Sequence, residues 1–510
     1  MSAGSRGAPA GRAHRLWPAL LSLAAAVISG FTMRRYLEPF DEGLLMQVAS
    51  RILDGQWPYA DFGWPYGPGQ PVVVAGLSWL FDPSVAWWRL LRVAADATAA
   101  VAVWGLVRRE AGERWALAGW LAAAVTVAQP TSANPFPVAL ALALCSVLAA
   151  ARGRPVVAGV LAALVAFWRI DIGAVAALAA VVALLVGDAE GAARAAGTAL
   201  VAGVALYLPF AVAAGPGRLW DELVGIAAGD GGLWRLPFPL AYDGPLRAGP
   251  PSALAEDLKD VLGFYLPLAA LVLGAVVVVA LLRRRRRPSA ELGGVLVLCL
   301  GCALYLLSRP DDLHAQPLVV CLCAAIPLAA ARVPLRTLGA VLAAGLALIV
   351  LAGAANRLSA LLLPPGLEPV HLAGVPGIRV PPAEAAALPR MVARVQRLVP
   401  PGEPVYVAPR RSDLVTISDP LVHFLVRRPN VLSRDVSVQA LPREQARTVA
   451  ALRRARAKAI VRWTDPASSR PEPNRRGRPS GSRALDEYLA ADYRLDSRFG
   501  AYDVLVPRRG

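Results

Sequence analysis

Charge is scarce in this chain: only 17% of its 510 residues are Asp, Glu, Lys or Arg, against about a quarter in an ordinary soluble protein. With 56% apolar residues and a mean hydropathy of +0.49, the composition excludes a simple soluble domain. Cysteine is scarce too. The five that occur (Cys145, Cys299, Cys302, Cys321 and Cys323) all fall inside apolar runs, which excludes a disulfide framework. Cys299-x-x-Cys302 and Cys321-x-Cys323 therefore read as packing residues rather than metal ligands. Zinc-finger spacings and RNA-binding signatures are missing, so the net charge of +17 does not mark a nucleic-acid partner. Internal repeats are missing as well, which counts against the paired halves of many transporters.

What the chain has in abundance is apolar runs of roughly 16–22 residues, the length that crosses a hydrocarbon core about 30 Å thick. The first covers residues 16–33, read as an anchor rather than a removed signal peptide, and the last covers 336–354. Together they predict about eleven spans. With the N-terminus inside, the clusters Arg108-Arg109, Arg152 and Arg154, Arg194, Arg283 to Arg287, and Arg332 with Arg336 all fall on the cytoplasmic side. The positive-inside rule requires this. The expected architecture is a polytopic α-helical membrane protein with a small C-terminal extracytoplasmic α/β domain. Its parts are a cytoplasmic N-terminus (1–15), a membrane domain (16–354), a linker (355–380) and the outer domain (381–510). Residues 34–85 and a long loop at 215–261, with Trp220, Trp234 and Tyr242, lie outside the membrane.

Ionisable groups at membrane depth are costly and usually pair, face the bundle interior or bind something polar. Arg92 and Asp96, one helical turn apart, read as a mutually neutralising pair. The remaining ones converge on the outer face: Asp41-Glu42 after the first span, Arg89, Arg169 and Asp171 in "FWRIDIG", and Arg309, Asp311, Asp312 and His314 in "SRPDDLHAQP". A carboxylate among arginines suits a reaction between an alcohol and a phosphate-linked donor. The carboxylate takes the proton of the attacking hydroxyl, and the arginines stabilise the phosphate leaving group. Outside the cell nucleotide-sugars are not at hand, so a donor carried on a lipid phosphate is the natural partner. The stretch "LLMQVASRIL" has helical apolar spacing suited to lying along the interface. It leads to "QWPYADFGWPYGPG", whose Trp57, Tyr59, Trp64 and Tyr66 serve equally as interfacial anchors or as sugar contacts.

The segment 41–69 resembles the C superfamily of integral-membrane glycosyltransferases, in the branch with protein O-mannosyltransferases and bacterial lipid A aminoarabinose transferases. There an Asp-Glu pair begins the first outer loop and an "A..i..G..pY.DF....pPG"-like pattern follows, matched here by Ala49, Gly55, Pro58-Tyr59, Asp61-Phe62 and Pro68-Gly69. The resemblance spans residues 15–354 and implies several roles. Asp41 would be the catalytic base and Glu42 its assistant. Arg89, Arg169, Arg309 and His314 would stand near the donor phosphate, with Tyr59, Asp61, Tyr66, Asp171 and Asp312 around the substrate. It also implies inversion at the sugar carbon, a polyprenyl-phosphate sugar donor, and a glycolipid, glycan or protein acceptor. Metal requirement varies in the family, so a divalent metal stays open as a cofactor. The lysine that some members place beside the phosphate has no counterpart in the segment. The rival reading from another class is a transporter or flippase of a lipid-linked glycan, although such proteins usually place their charges near mid-membrane.

Beyond residue 355, "LLPPGLEPVHLAGVPG" reads as a linker. Residues 383–399 and 441–457 read as amphipathic helices, and 403–408, 458–463 and 502–507 as buried strands. His423 is expected on the solvated surface.

Overall fold

The computed structural model describes residues 13–226, 228–229, 235–239, 251–283, 288–307, 309–332, 336–414, 418–435, 440–466 and 479–508. Parts of three expected features lie outside these residues: Trp234 and Tyr242 of the long loop, Arg284 to Arg287, and the middle of the polar stretch after Asp465. The membrane part begins with α1 (Ala13–Gly30), two helices of the first loop, α2 (Asp41–Leu53) and α3 (Gly69–Phe81), and then α4 (Val85–Ala111). It continues through α5 (Glu113–Val127), α6 (Phe136–Ala151), α7 (Pro155–Trp168), α8 (Ile170–Leu185), α9 (Ala189–Ala214) and a short α10 (Pro216–Trp220). Four more helices complete it: α11 (Pro251–Arg283), α12 (Ala290–Leu306), α13 (Asp312–Ala330) and α14 (Arg336–Leu362). The last of these runs eight residues past the expected end of the membrane domain.

Among the described residues, four helices can cross a membrane by length and composition: α4, α9, α13 from Leu313 and α14 from Thr337, with shorter apolar helices around them. They occupy different places. The most apolar stretches of α4 and α13 are 72% buried, whereas those of α9 and α14 are 11% buried. So α4 and α13 form the centre of the bundle, and α9 and α14 its lipid-facing rim. Polar caps fix where the central helices begin. The Ser84 hydroxyl accepts the N–H of Ala86 at α4, and Asp311 Oδ1 accepts the N–H of His314 at 2.8 Å at α13. Arg92 and Asp96 of α4 form the expected pair, Nε to Oδ1 at 2.8 Å, and Ser29 of α1 donates to the other carboxylate oxygen at 2.6 Å. The five cysteines are free thiols, and Cys302 and Cys321 bring their sulfur atoms to 4.0 Å between α12 and α13.

The C-terminal part holds a two-stranded ribbon of β1 (Glu368–Pro369) and β2 (Arg379–Val380), and a four-stranded sheet in the order β3-β4-β6-β5. In that sheet β3 (Tyr406–Ala408) runs parallel to β4 (Ile460–Trp463), while β5 (Tyr493–Phe499) and β6 (Tyr502–Pro507) are antiparallel. Its helices are α15 (Pro382–Leu398), α16 (Leu421–Val426), α17 (Pro442–Ala455) and α18 (Ala484–Asp492). His423 departs from expectation. It is buried in α16, where burial first of all pushes its imidazole down to about 4, so the ring is neutral at physiological pH.

The two parts meet on α2. A Cβ at Gly43 would lie 2.3 Å from the backbone nitrogen of Leu421, so only glycine lets α2 touch α16. One turn from the other end of α2, Arg51 forms a buried pair with Asp435, Nε to Oδ2 at 2.7 Å, and donates to the Leu432 carbonyl at 2.6 Å. Breaking such a pair leaves a buried charge with too few partners, at a cost of about 3–5 kcal/mol. Arg51→Met should therefore lower the thermal midpoint of the purified protein markedly. Arg51→Met combined with Asp435→Leu should recover much of the loss, and a single variant that melts like wild type would show that the pair does not hold the two parts together.

Candidate active site

The segment after α1 folds back over the end of the bundle and is fixed by a carboxylate. Glu42 is fully buried, and Arg89 Nε and Nη2 each meet one of its oxygens at 2.7 Å. The remaining N–H groups of Arg89 go to the carbonyls of Met33, Arg35 and Tyr36. Its five donors are thus all engaged. Arg89 sits at the centre of a structural knot, lines neither cavity described below, and has no donor left for a phosphate. Glu42, expected to assist Asp41, is its partner there.

Asp41 precedes Glu42 at the start of α2 and turns instead into an open cleft of about 1160 Å³. Crowding by the surrounding protein raises its pKa, and the charges of His314 and Arg309 oppose that rise. The structure thus brings together three residues that lie about 270 positions apart along the chain. Asp311 organises the two cations. Its carboxylate takes the Nδ1 of His314 at 2.6 Å and lies 3.9 Å from Arg309 Nε. Burial favours its protonation, but the His314 hydrogen bond and charge and the Arg309 charge outweigh this and hold it below the usual carboxylate range. An ionised carboxylate only accepts hydrogen bonds, so His314 directs its Nδ1–H at Asp311, and in the doubly protonated ring Nε2–H is a second donor. His314 lines a second, smaller space, and Gln129, Ser132 and Leu313 border both.

Beside this group, Arg169 forms a bidentate pair with Asp171 at 3.1 and 2.7 Å. Its guanidinium lies over the rings of Tyr66, Phe136 and Tyr305 at 5.4, 5.0 and 4.8 Å. Tyr66 connects the two clusters. Burial and then the Asp41 charge push its hydroxyl well up, against the pull of Arg169, so it stays a proton donor. The sequence pattern missed Tyr305, which also stacks on His314 at 5.6 Å. The only signal for it is its place one helical turn before "SRPDD".

Two expected residues are structural. Tyr59 is buried at a left-handed φ of 69°, held because its N–H reaches Phe62 and its hydroxyl reaches the Tyr66 carbonyl at 2.6 Å. Asp61 is exposed and accepts the N–H of Trp57 at 2.7 Å, closing the turn. These two, with Gly67, whose missing Cβ would fall 2.2 Å from the Phe167 carbonyl, shape the loop that carries Tyr66. The side chain of Asp312 lies outside the described residues. Among the described residues, no three His, Cys, Asp or Glu side chains converge to hold a metal ion.

A further carboxyl group belongs to the site. Glu38 lines the same cleft as Asp41, and its two oxygens accept the N–H groups of Phe40 at 3.0 Å and Glu42 at 2.6 Å. Burial, and then the Asp41 charge, push it up to about 8. Its folded-state pKa exceeds the ordinary value of 4.5, so between these values the folded protein binds more protons than the unfolded chain. The resulting stability is present in full below about 4.5 and is lost as pH rises through about 8. Thermal midpoints measured across this range should fall with pH in wild type and fall less steeply in Glu38→Gln. Parallel slopes would place the proton elsewhere.

No protein-family model matches the chain, and no curated protein matches it in sequence. Solved structures do match in fold. ArnT from Cupriavidus metallidurans bound to undecaprenyl phosphate covers 97% of this chain and 98% of its own, with a TM-score of 0.56 at 14% identity. The apo state of that protein gives the same TM-score and coverage at 16% identity. The Archaeoglobus fulgidus oligosaccharyltransferase in complex with Zn and sulfate covers 88% of this chain and 68% of its own, with a TM-score of 0.52 at 13% identity. The chain is thus a multi-pass membrane protein with an ArnT-like fold. The likeness suggested by residues 41–69 extends, as fold, across the membrane part and through the C-terminal domain.

Proposed function

We propose that this protein is a glycosyltransferase that moves a sugar from a polyprenyl-phosphate carrier to an acceptor hydroxyl at the outer face of the membrane. The observation that carries this reading is that Asp41, in one cleft, lies within electrostatic reach of Arg309 and of His314, which lines the adjoining cavity. A base and a phosphate-binding pair are then on hand for one reaction. The ArnT structure with undecaprenyl phosphate, on the same fold, supports a lipid-phosphate donor.

In this reading the acceptor O–H gives its proton to Asp41, whose raised pKa makes it a stronger base than an ordinary surface carboxylate. The hydroxyl oxygen forms the new bond to the sugar carbon while the bond from that carbon to the phosphate oxygen breaks, with inversion. The departing polyprenyl phosphate carries the electron pair and the negative charge. Arg309 and His314 stabilise that charge by charge-assisted hydrogen bonds, and caged Arg169 contributes at longer range. The basic clusters between helices support eleven spans with the site and the C-terminal domain extracytoplasmic.

Reconstituted protein, given a panel of polyprenyl-phosphate sugars and a mixed membrane and glycan extract, should transfer sugar. Asp41→Asn should reduce the rate by about 10²–10⁴ with donor binding retained, and Arg309→Gln should weaken donor binding. Equal rates in wild type and Asp41→Asn would remove Asp41 from the mechanism. Movement of the lipid across the bilayer without transfer would replace this reading with a transporter.

A further inference from the structure

The cleft that holds Asp41 has a second basic edge, unrelated to Arg309 and His314. Arg35 and Arg357 both line it, together with Glu38, Tyr36 and the loop residues Gln129 to Ser132. Arg35 is anchored: its Nη1 donates to the carbonyl of Ala360 at 2.6 Å, one turn along α14 from Arg357. Arg357 is not. Its Nε is buried and has no hydrogen-bond partner among the described residues. The carboxylate of Asp96, itself bonded to Arg92 and Ser29, acts on it through its field. The charge of Arg35 repels it. Two guanidiniums lining one cleft, one of them with an unmet donor, make an arrangement that an anion completes. Of the two carboxyls in the cleft, Glu38 adds no negative charge against this pair, since it holds its proton up to about pH 8.

We propose that Arg35 and Arg357 form an anion site that receives a phosphate group carried by the acceptor and so sets the acceptor hydroxyl beside Asp41. This rests on the transferase reading, in which Arg309 and His314 take the donor phosphate. A second cationic pair then calls for a second anion. Arg357 stands near the end of α14, a rim helix whose apolar stretch is only 11% buried, so a phosphate borne by a membrane lipid can enter the cleft from the side. Free phosphate is the other source of the same chemistry. Sequence reading overlooked Arg357, although an arginine at the end of an apolar run is the kind of residue that membrane energetics mark out.

Calorimetric titration of the full chain in detergent micelles, with no sugar donor present, tests the site. The probes are dioctanoyl phosphatidic acid, inorganic phosphate and phosphate-free dioctanoylglycerol. Phosphatidic acid should bind wild type, bind about tenfold or more weakly in Arg357→Gln and Arg35→Gln, and regain affinity in Arg357→Lys. Inorganic phosphate binding as tightly, with the same dependence on Arg357, would uphold the anion site and assign it to a soluble ligand. Absent binding, or binding indifferent to both arginines, would overturn it. Because no transfer is measured, the two ideas fail separately. A failed transferase reading leaves Arg357-dependent binding in place, and a failed anion site leaves Asp41-dependent transfer in place. In the transfer assay, Arg357→Gln should raise the KM for the acceptor and leave that for the donor unchanged.

Discussion

The pair between Glu42 and Arg89 is the constraint on which the site depends. Both side chains are fully buried, and burial of two charges is tolerated only where geometry and further hydrogen bonds are good. Arg89 meets that condition by binding the carbonyls of the Met33–Tyr36 turn as well as both oxygens of Glu42. In one knot, the end of α1, the turn after it, the first residues of α2 and the start of α4 are fastened together. Asp41, one residue before Glu42, has its direction set by this fastening. The Asp-Glu dipeptide thus divides its labour, one carboxylate holding the scaffold and the other facing the cleft.

Around that fixed point the site is assembled from chain segments far apart in sequence. Asp311 caps α13 and in the same geometry orients His314, so the start of a helix and the setting of an imidazole are one event. Arg169 is held differently, by rings on three sides and a carboxylate partner, which leaves its charge intact while limiting its movement. Tyr66, between Asp41 and Arg169, is supplied by a loop whose bends require Tyr59 at a left-handed backbone angle and glycine at position 67. Local strain in that loop is carried for the sake of one side chain's position.

Much of this was legible in the sequence, and the exceptions share a cause. Asp41, Arg309 and His314 could be singled out because charge at a membrane surface is conspicuous in a chain with so little of it. The amphipathic α15 and α17 and the buried strands β3, β4 and β6 were legible from periodicity, within a few residues at each end. Strand β5 was not, because as an edge strand it alternates weakly and is mostly open to solvent. The work of Arg89 was hidden for another reason: residue type reveals a charge but not its partner, and Glu42 lies 47 positions away. His423 was misplaced on the surface although Leu421, Val422, Phe424 and Leu425 flank it, because the sequence does not disclose that α16 packs inward against α2.

The contact between Gly43 and Leu421 has a further consequence. Synthesis proceeds from the amino end, so α2 is made about 380 residues before the α16 surface that seats it. Until that surface is made and folded, the loop has its anchor on α4 but nothing to lie against on its other side. The setting of Asp41 is therefore finished only after the helices of the membrane part have all been made.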